Sequence, residues 1–201
     1  GDRVKNWITH NEPWCISYLG YVHGQFPPGL KDNWPKSLAT AHHLLLSHGM
    51  SINEIRNNSK ESEVGITLNL CPSTPASNST YDIEYCKFFD AQFNQLYLDP
   101  LYKKSYPEYL FDYLTKKRLI KKSDINFIKP GDLETIGKKT DFLGVNFYSR
   151  AIIRDQDIAE DKNLPIEVTP GEKTDFGWEI HPKSLYDLLM RIKKEYPIEK
   201  I

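Results

Sequence analysis

The sequence is poor in cysteine, has no large excess of charge of either sign, and contains no long apolar run. Three cysteines, Cys15, Cys71 and Cys86, are too few and too scattered for a disulfide scaffold, and no Cys-x-x-Cys pair indicates a metal or redox site. Lys and Arg number 26 against 27 Asp and Glu, so the formal charge of −1 argues against a dedicated nucleic-acid-binding protein. No stretch approaches the roughly 18 to 20 consecutive apolar residues of a membrane span. We therefore expect no metal, no nucleic-acid partner and no membrane insertion.

The two ends of the sequence lack the features of natural termini. Gly1 is followed almost at once by an apolar, strand-like segment, with no charged and apolar leader of the kind that forms a signal peptide. Near the other end, Pro197 follows a helical pattern and precedes alternating residues, which usually indicates the next strand. We expect a segment truncated at both ends, and its localisation, cytoplasmic or secreted, stays open.

Aromatic residues are abundant, since four Trp, twelve Tyr and nine Phe make up 12% of the chain and can build a sizeable core. Runs of apolar and β-branched residues alternate with stretches in which apolar residues recur at helical spacing. We predict strands at 4–9, 64–70 and 142–148, helices at 37–55, 82–97, 106–120 and 182–196, and a long loop at 150–176. This order is typical of α/β folds with parallel strands and crossover helices. About three βα units fit either part of a (β/α)8 barrel or an open doubly wound sheet.

Polar residues stand at the ends of all three predicted strands. They are Asn11 with Glu12, Asn69, and Asn146 with Tyr148. The carboxyl ends of parallel strands meet at one rim, where ligands bind in such folds. Two tryptophans in neighbouring loops, Trp14 and Trp178, add aromatic faces that pack against the C–H faces of sugars. Taken singly, each amide is as often the cap of a local turn as a ligand-binding group.

Longer motifs make the pattern specific. In chain order they are WITHNEPW at 7–14, LGY at 19–21, GITLN at 65–69, DFLGVNFY at 141–148 and GWEIHP at 177–182. Together they resemble glycoside hydrolase family 1, the β-glucosidase and 6-phospho-β-glucosidase family, and the resemblance runs through nearly all of the chain. It implies a (β/α)8 TIM barrel of which residues 1–201 are the central part, roughly the fourth to sixth of eight βα units.

The resemblance also implies roles for individual residues. Glu12 of Asn-Glu-Pro takes the place of the family's general acid/base, Asn11 that of the residue that bonds the sugar 2-hydroxyl, and Tyr148 that of the residue that orients the nucleophile. The other positions that line the family's cleft are Asn69, Asn146, Trp14 and Trp178. The implied reaction is hydrolysis of a small-molecule β-glycoside with retention of configuration, and no cofactor is implied.

A retaining glycosidase needs a second carboxylate about 5–5.5 Å from the first. The family's nucleophile lies in a Thr-Glu-Asn-Gly motif that this sequence does not contain, so we expect it beyond Ile201 and expect these residues alone to be inactive. Because the acid must be protonated to assist the leaving group, we expect the pKa of Glu12 to be raised by its surroundings and by the partner carboxylate.

Three further readings stay open at this point. The chain could be a carbohydrate- or partner-binding relative that kept the cleft and lost its chemistry, or a truncated product whose exposed sheet edges prevent folding. Glu12 could also be a helix N-terminal residue favoured by the helix dipole alone. His42, His43 and His48 share one helix but lack the spacing of a zinc motif, so we interpret them as surface or satisfied core residues.

Overall fold

A computed structural model of the chain describes residues 3–155 and 170–201. The predicted loop at 150–176 therefore lies partly outside the described residues. The strands are β1 (Asn6–Asn11), β2 (Glu63–Asn69), β3 (Ser73–Pro75), β4 (Phe142–Asn146) and β5 (Ala151–Ile153). The α-helices are α1 (Pro13–Tyr18), α2 (Trp34–Asn58), α3 (Thr80–Asp90), α4 (Leu96–Tyr102), α5 (Glu108–Lys116), α6 (Asp132–Ile136) and α7 (Pro182–Glu195). Two π-helical turns, Leu19–His23 and Ala91–Gln95, and a 3-10 turn, Lys122–Ile125, complete the regular structure of these residues.

The central sheet is parallel, with the strand order β1-β2-β4. Strand β2 lies in the middle. Val64, Ile66 and Leu68 on one face are at most 1% exposed, and Thr67 and Asn69 on the other are at most 7% exposed, as expected for a strand covered on both faces. The backbone N–H of Leu143 in β4 donates to the carbonyl of Lys200, so the chain returns beside β4 after α7. The three predicted strands are confirmed, and their parallel order fits the barrel expectation.

Helix α2 covers the sheet and begins earlier than its apolar spacing predicts. The side chain of Asn33 caps it by accepting from the backbone N–H of Lys36, and Pro35 occupies the first turn, where its missing N–H has no cost. One face is buried through Leu38, Ala41 and Leu45. The predicted helix at 37–55 is therefore confirmed, with about one additional turn at each end.

The remaining predicted helices are present with altered bounds. The helix predicted at 82–97 spans α3, a π-helical turn and α4, because Ser79 caps it earlier and Pro100 is accommodated within the last turns. Helix α5 is shorter than the predicted 106–120, since Pro107 precedes it and Arg118 adopts a left-handed conformation just after its end. Helix α7 starts at the predicted Pro182 and ends one residue before the predicted end.

Part of the predicted loop at 150–176 forms a strand, which the sequence pattern did not indicate. Strand β5 pairs in parallel with β3 in a separate two-stranded sheet. The first and last residues of β5, Ala151 and Ile153, are at most 1% exposed, so two of its three side chains are buried. A period this short is not distinguishable from loop sequence, and the pairing depends on the distant segment Ser73–Pro75.

Two of the helical histidines belong to the core. The Nδ1 of His42 hydrogen-bonds the hydroxyl of Tyr106 and its Nε2 lies 3.0 Å from the carboxylate of Asp132. The Nδ1 of His48 bonds the hydroxyl of Thr9, and burial lowers the pKa of His48 to about 3, so its ring is neutral. None of the helices in the described part of the chain is long and apolar enough to cross a membrane.

Candidate active site

The three polar strand ends meet at the carboxyl edge of the central sheet. The β2–β4 register places Asn69 opposite Asn146, and β1 brings Asn11 to the same edge. The amide nitrogen of Asn146 bridges two acceptors, the Asn11 side-chain oxygen at 3.1 Å and the Glu12 Oε1 at 2.6 Å. Residues far apart in sequence thus form one polar cluster, as the strand-end pattern predicts.

The backbone at Glu12 turns the side chain away from the path of β1. Glu12 has φ 50° and ψ 61°, a left-handed conformation that costs a non-glycine residue about 1 kcal/mol or more. The register of β1 against β2 shifts between Ile8 and Asn11, and the Glu12 N–H still donates to the Thr67 carbonyl at 2.9 Å. Pro13 then begins α1 directly. This sharp change from strand to helix leaves the carboxylate at the sheet edge.

Three donors hold the Glu12 carboxylate. The Tyr148 hydroxyl and the Asn146 amide both donate to Oε1 at 2.6 Å, and the Cys15 thiol donates to Oε2 at 3.2 Å. Burial by itself raises the pKa of Glu12, but the three hydrogen bonds together more than offset it and lower the pKa below its ordinary value. The expected rise in the pKa of Glu12 is therefore wrong for these residues by themselves, because the donors favour the ionised form.

Tyr148 and Cys15 both stay protonated and serve as donors. The hydrogen bond to the negative Glu12 raises the pKa of Tyr148 to about 12, and burial together with Glu12 raises the pKa of Cys15 to about 12. Cys15 follows from no motif considered above. Its position three residues after Glu12, in the first turn of α1, is the signal that could have revealed it, since residues at that spacing share a helix face.

Asn69 and Trp14 are more enclosed than the other predicted site residues. The Asn69 side chain is buried, with its amide nitrogen 4.0 Å from the Cys15 sulfur. Trp14 is only 7% exposed, because its indole N–H donates to Gln92 and its ring packs against Tyr18 and Phe93. An open aromatic platform at Trp14 is therefore a wrong expectation, since the ring belongs to the core.

Trp178 lies beside the cluster on a short antiparallel hairpin from Glu172 to Ile180. Its ring is 41% exposed and its centroid lies 4.9 Å from that of Tyr148. An ion pair that no motif in the sequence indicates lies behind this hairpin. Arg150 donates twice to the buried Glu179, at 2.6 and 3.0 Å, and Arg150 holds the pKa of Glu179 below its usual value.

No group of three or more His, Cys, Asp or Glu side chains in residues 3–155 and 170–201 is arranged to hold a metal ion. The groups that the site offers are instead a carboxylate, a phenol, amides and an exposed indole. This combination suits hydrogen bonding to hydroxyl groups and proton exchange with an oxygen atom.

Comparison with known proteins identifies the family of the chain. The model of glycosyl hydrolase family 1 matches residues 1–201. Beta-glucosidase A of Acetivibrio thermocellus is 39% identical over 98% of this chain and 43% of its own length, and the 6-phospho-beta-galactosidase of Clostridium acetobutylicum is 32% identical over 98% and 46%. The crystal structure of a beta-glucosidase from Exiguobacterium marinum has a TM-score of 0.88 at 36% identity, covering 99% of this chain and 44% of that one.

Another similar structure is the beta-glucosidase of Thermotoga maritima in complex with glucoimidazole, with a TM-score of 0.80 at 31% identity, covering 97% of this chain and 42% of that one. The chain spans less than half the length of the curated relatives it matches. The parallel α/β architecture is accordingly that of a partial (β/α)8 barrel. The chain belongs to glycosyl hydrolase family 1.

Proposed function

We propose that this chain supplies the acid/base side of the active site of a retaining β-glycoside hydrolase, with Glu12 as general acid/base. The observation that carries the proposal is the hydrogen-bonded carboxylate of Glu12 at the strand ends of a family member, held by Asn146, Tyr148 and Cys15. Residues 1–201 act as the central part of one catalytic barrel, about its fourth to sixth βα units. The substrate is a small-molecule β-glycoside.

In the first step Glu12 donates a proton to the glycosidic oxygen while a nucleophilic carboxylate bonds to the anomeric carbon and the aglycone leaves. In the second step Glu12 accepts a proton from water as the water oxygen displaces the nucleophile. Asn11 and Asn146 bond sugar hydroxyls at the same rim, and Asn69 supports the rim from its buried position. Trp178 offers its exposed ring to the sugar or aglycone.

The lowered pKa of Glu12 must rise before Glu12 can act as an acid. The Tyr148 hydroxyl has only one proton to donate, and the resemblance implies that it donates this proton to the nucleophilic carboxylate. A change of acceptor by Tyr148 can therefore raise the pKa of Glu12. When Tyr148 donates to the second carboxylate instead, Glu12 loses a strong donor and gains a negative neighbour, and both changes raise its pKa. Glu12 and the nucleophilic carboxylate then share one proton at neutral pH, as the reaction requires.

The experiment uses a chimera in which residues 1–201 replace the matching segment of the Acetivibrio thermocellus beta-glucosidase A. In Glu12→Gln we expect kcat/KM to fall by about 100-fold to 10,000-fold for alkyl β-glucosides, the usual size of general acid catalysis. For a dinitrophenyl β-glucoside, whose leaving group needs no proton, kcat/KM should fall far less in Glu12→Gln. Glu61→Gln is the matched control, since that carboxylate is exposed and bonds only to Lys5 among the hydrogen bonds of the described residues.

Equal and small losses for both substrates in Glu12→Gln would reject the assignment. The 201 residues contain no Thr-Glu-Asn-Gly motif, so we expect them by themselves to hydrolyse no aryl β-glucoside. Turnover of such a substrate by the purified 201-residue chain, lost on Glu12→Gln, would show that the nucleophile lies within it.

A further inference from the structure

The two oxygens of the Glu12 carboxylate have unequal partners. Oε1 accepts from the Asn146 amide and from the Tyr148 hydroxyl, each at 2.6 Å. Among the hydrogen bonds of the described residues, Oε2 accepts from the Cys15 thiol alone, at 3.2 Å. Asn146 favours Oε1 in the protonated state as well, because an amide N–H only donates and the carbonyl oxygen of a carboxyl group accepts better than its hydroxyl oxygen. Oε2 is therefore the oxygen that is left to carry a proton.

The Cys15 thiol is held at Oε2 by its place in the chain. The backbone N–H of Cys15 donates to the Glu12 carbonyl at 3.0 Å, which closes the turn that opens α1. From the end of β2, the buried Asn69 amide nitrogen lies 4.0 Å from the Cys15 sulfur, a weak N–H···S contact. Because this amide donates to the sulfur, the S–H bond of Cys15 is directed at Glu12.

A thiol suits an oxygen that must gain and lose a proton. Its S–H is a weak donor and its sulfur a weak acceptor, so a thiol can face both the ionised and the protonated carboxyl group. Burial, together with the hydrogen bond to Glu12, raises the pKa of Cys15 to about 12, so Cys15 is a neutral donor and not a nucleophile. Tyr148 and Tyr97, the other titratable groups that interact with Cys15, also have raised pKa values and are neutral at neutral pH.

We propose that Cys15 is a positioning residue, which holds the Oε2 of Glu12 as the oxygen that delivers and recovers the catalytic proton. The proposal rests on the function proposed above, because it takes Glu12 as the acid/base. In the first step the O–H bond at Oε2 breaks and its proton passes to the glycosidic oxygen. The bond from that oxygen to the anomeric carbon breaks as the nucleophilic carboxylate bonds to the carbon, and Glu12 is left ionised. The Cys15 thiol donates to this carboxylate and keeps its own proton throughout.

The test places three substitutions at Cys15 in the chimera with the Acetivibrio thermocellus beta-glucosidase A. Cys15→Ala and Cys15→Val both remove the donor, one with a smaller and one with a larger side chain, whereas Cys15→Ser returns a hydroxyl donor. In Cys15→Ala and Cys15→Val we expect kcat/KM for an alkyl β-glucoside to fall by about threefold to tenfold, the usual worth of one hydrogen bond. For a dinitrophenyl β-glucoside, whose leaving group needs no proton, kcat/KM should change by less than about twofold. Cys15→Ser should behave as the unsubstituted chimera with both substrates.

The pH profile separates an effect on the Glu12 proton from a loss of packing. Without a donor that favours the ionised form, the pKa of Glu12 rises, so the basic limb of kcat/KM should move up by about 0.5–1 pH unit in Cys15→Ala and Cys15→Val. The 13C NMR titration of the Glu12 carboxyl, assigned by its absence in Glu12→Gln, measures the same pKa without catalysis. Cys86→Ala is the matched control and should leave this pKa unchanged, since the Cys86 thiol donates to Ser73 and not to Glu12.

Three results would each overturn the proposal. They are an unchanged Glu12 titration in both Cys15→Ala and Cys15→Val, equal losses for the two substrates, and a loss in Cys15→Ser with none in Cys15→Val, which would indicate packing alone. The acid/base assignment fails separately, through the absence of leaving-group discrimination in Glu12→Gln. If Glu12→Gln shows that discrimination while the variants of Cys15 titrate as the unsubstituted chimera, only the role of Cys15 is rejected.

Discussion

The short hydrogen bond between Asn146 and Glu12 can be tested by the substitution Asn146→Asp. In the wild type, the Asn146 amide donates to Glu12 at 2.6 Å. Asn146→Asp replaces the donor by a second carboxylate of nearly the same shape and volume. Asn146→Ala removes the same hydrogen bond without adding a charge. The difference between these two variants therefore isolates the repulsion between the carboxylates.

The repulsion follows from the geometry. Two unit charges relaxed to about 4 Å repel by about 1 kcal/mol in water and about 4 kcal/mol at an effective dielectric constant of 20. Glu12 is partly exposed, so we expect the lower half of this range, about 2 kcal/mol, for Asn146→Asp relative to Asn146→Ala at neutral pH. In Asn146→Asp the two neighbouring carboxylates bind a proton more tightly in the folded state than in the unfolded state. The penalty in Asn146→Asp is thus lost as the pH falls, and protonation converts the repulsion into a shared hydrogen bond.

The assay is urea unfolding of the 201-residue chain and its two variants, at neutral pH and near the ordinary carboxyl pKa of about 4. At neutral pH Asn146→Asp should be less stable than Asn146→Ala, and at acid pH the order should be equal or reversed. Equal stability of the two variants at neutral pH, or a difference that does not respond to pH, would refute the close approach of Asn146 to Glu12.

Two further predictions concern the frame of the site. A Cβ added at Gly49 in α2 would lie 1.9 Å from the Thr135 carbonyl oxygen, so we expect Gly49→Ala to lower the free energy of unfolding by about 1–3 kcal/mol. A neutral or stabilising effect in urea unfolding would contradict this packing. Hydrogen bonds from the Val64 N–H and the Arg56 guanidinium outweigh burial and lower the pKa of Asp141 below its usual 3.8. The resulting stability is complete above the usual value and lost as the pH falls through the folded pKa, so Asp141→Asn should flatten the acid limb of a stability–pH profile; an unchanged limb would contradict it.

The sequence predicted those features that repeat locally. Apolar, β-branched runs predicted the strands, and the polar residue that ends each run placed Asn11, Asn69 and Asn146 at one edge, because parallel strands share their direction. The period of α2 was equally clear, and Asn33 and Pro35 ahead of it account for the turn added at its start. These elements could be predicted because the residues of each segment by themselves indicate its secondary structure.

The features that could not be predicted depend on contacts between distant segments. A tryptophan beside a polar strand end, such as Trp14, suggests a ring that stacks on a sugar. Gln92 and Phe93 from another helical segment, however, enclose the Trp14 side chain. The pKa of Glu12 depends on the donors Asn146 and Tyr148, more than 130 residues away, whose hydrogen bonds together with that of Cys15 outweigh the effect of burial. A single-sequence pattern does not show how many donors converge on one carboxylate.

The central claim is that Glu12 acts as the acid/base, and the configuration of an azide product tests it most directly. In the chimera carrying Glu12→Ala, an activated aryl β-glucoside still forms the glycosyl-enzyme, but no base remains to activate water. Azide needs no base, so we predict that added azide restores turnover and that NMR identifies the product as the β-glycosyl azide. An α-glycosyl azide would instead make Glu12 the nucleophile, and the absence of any azide effect would contradict a catalytic role for Glu12.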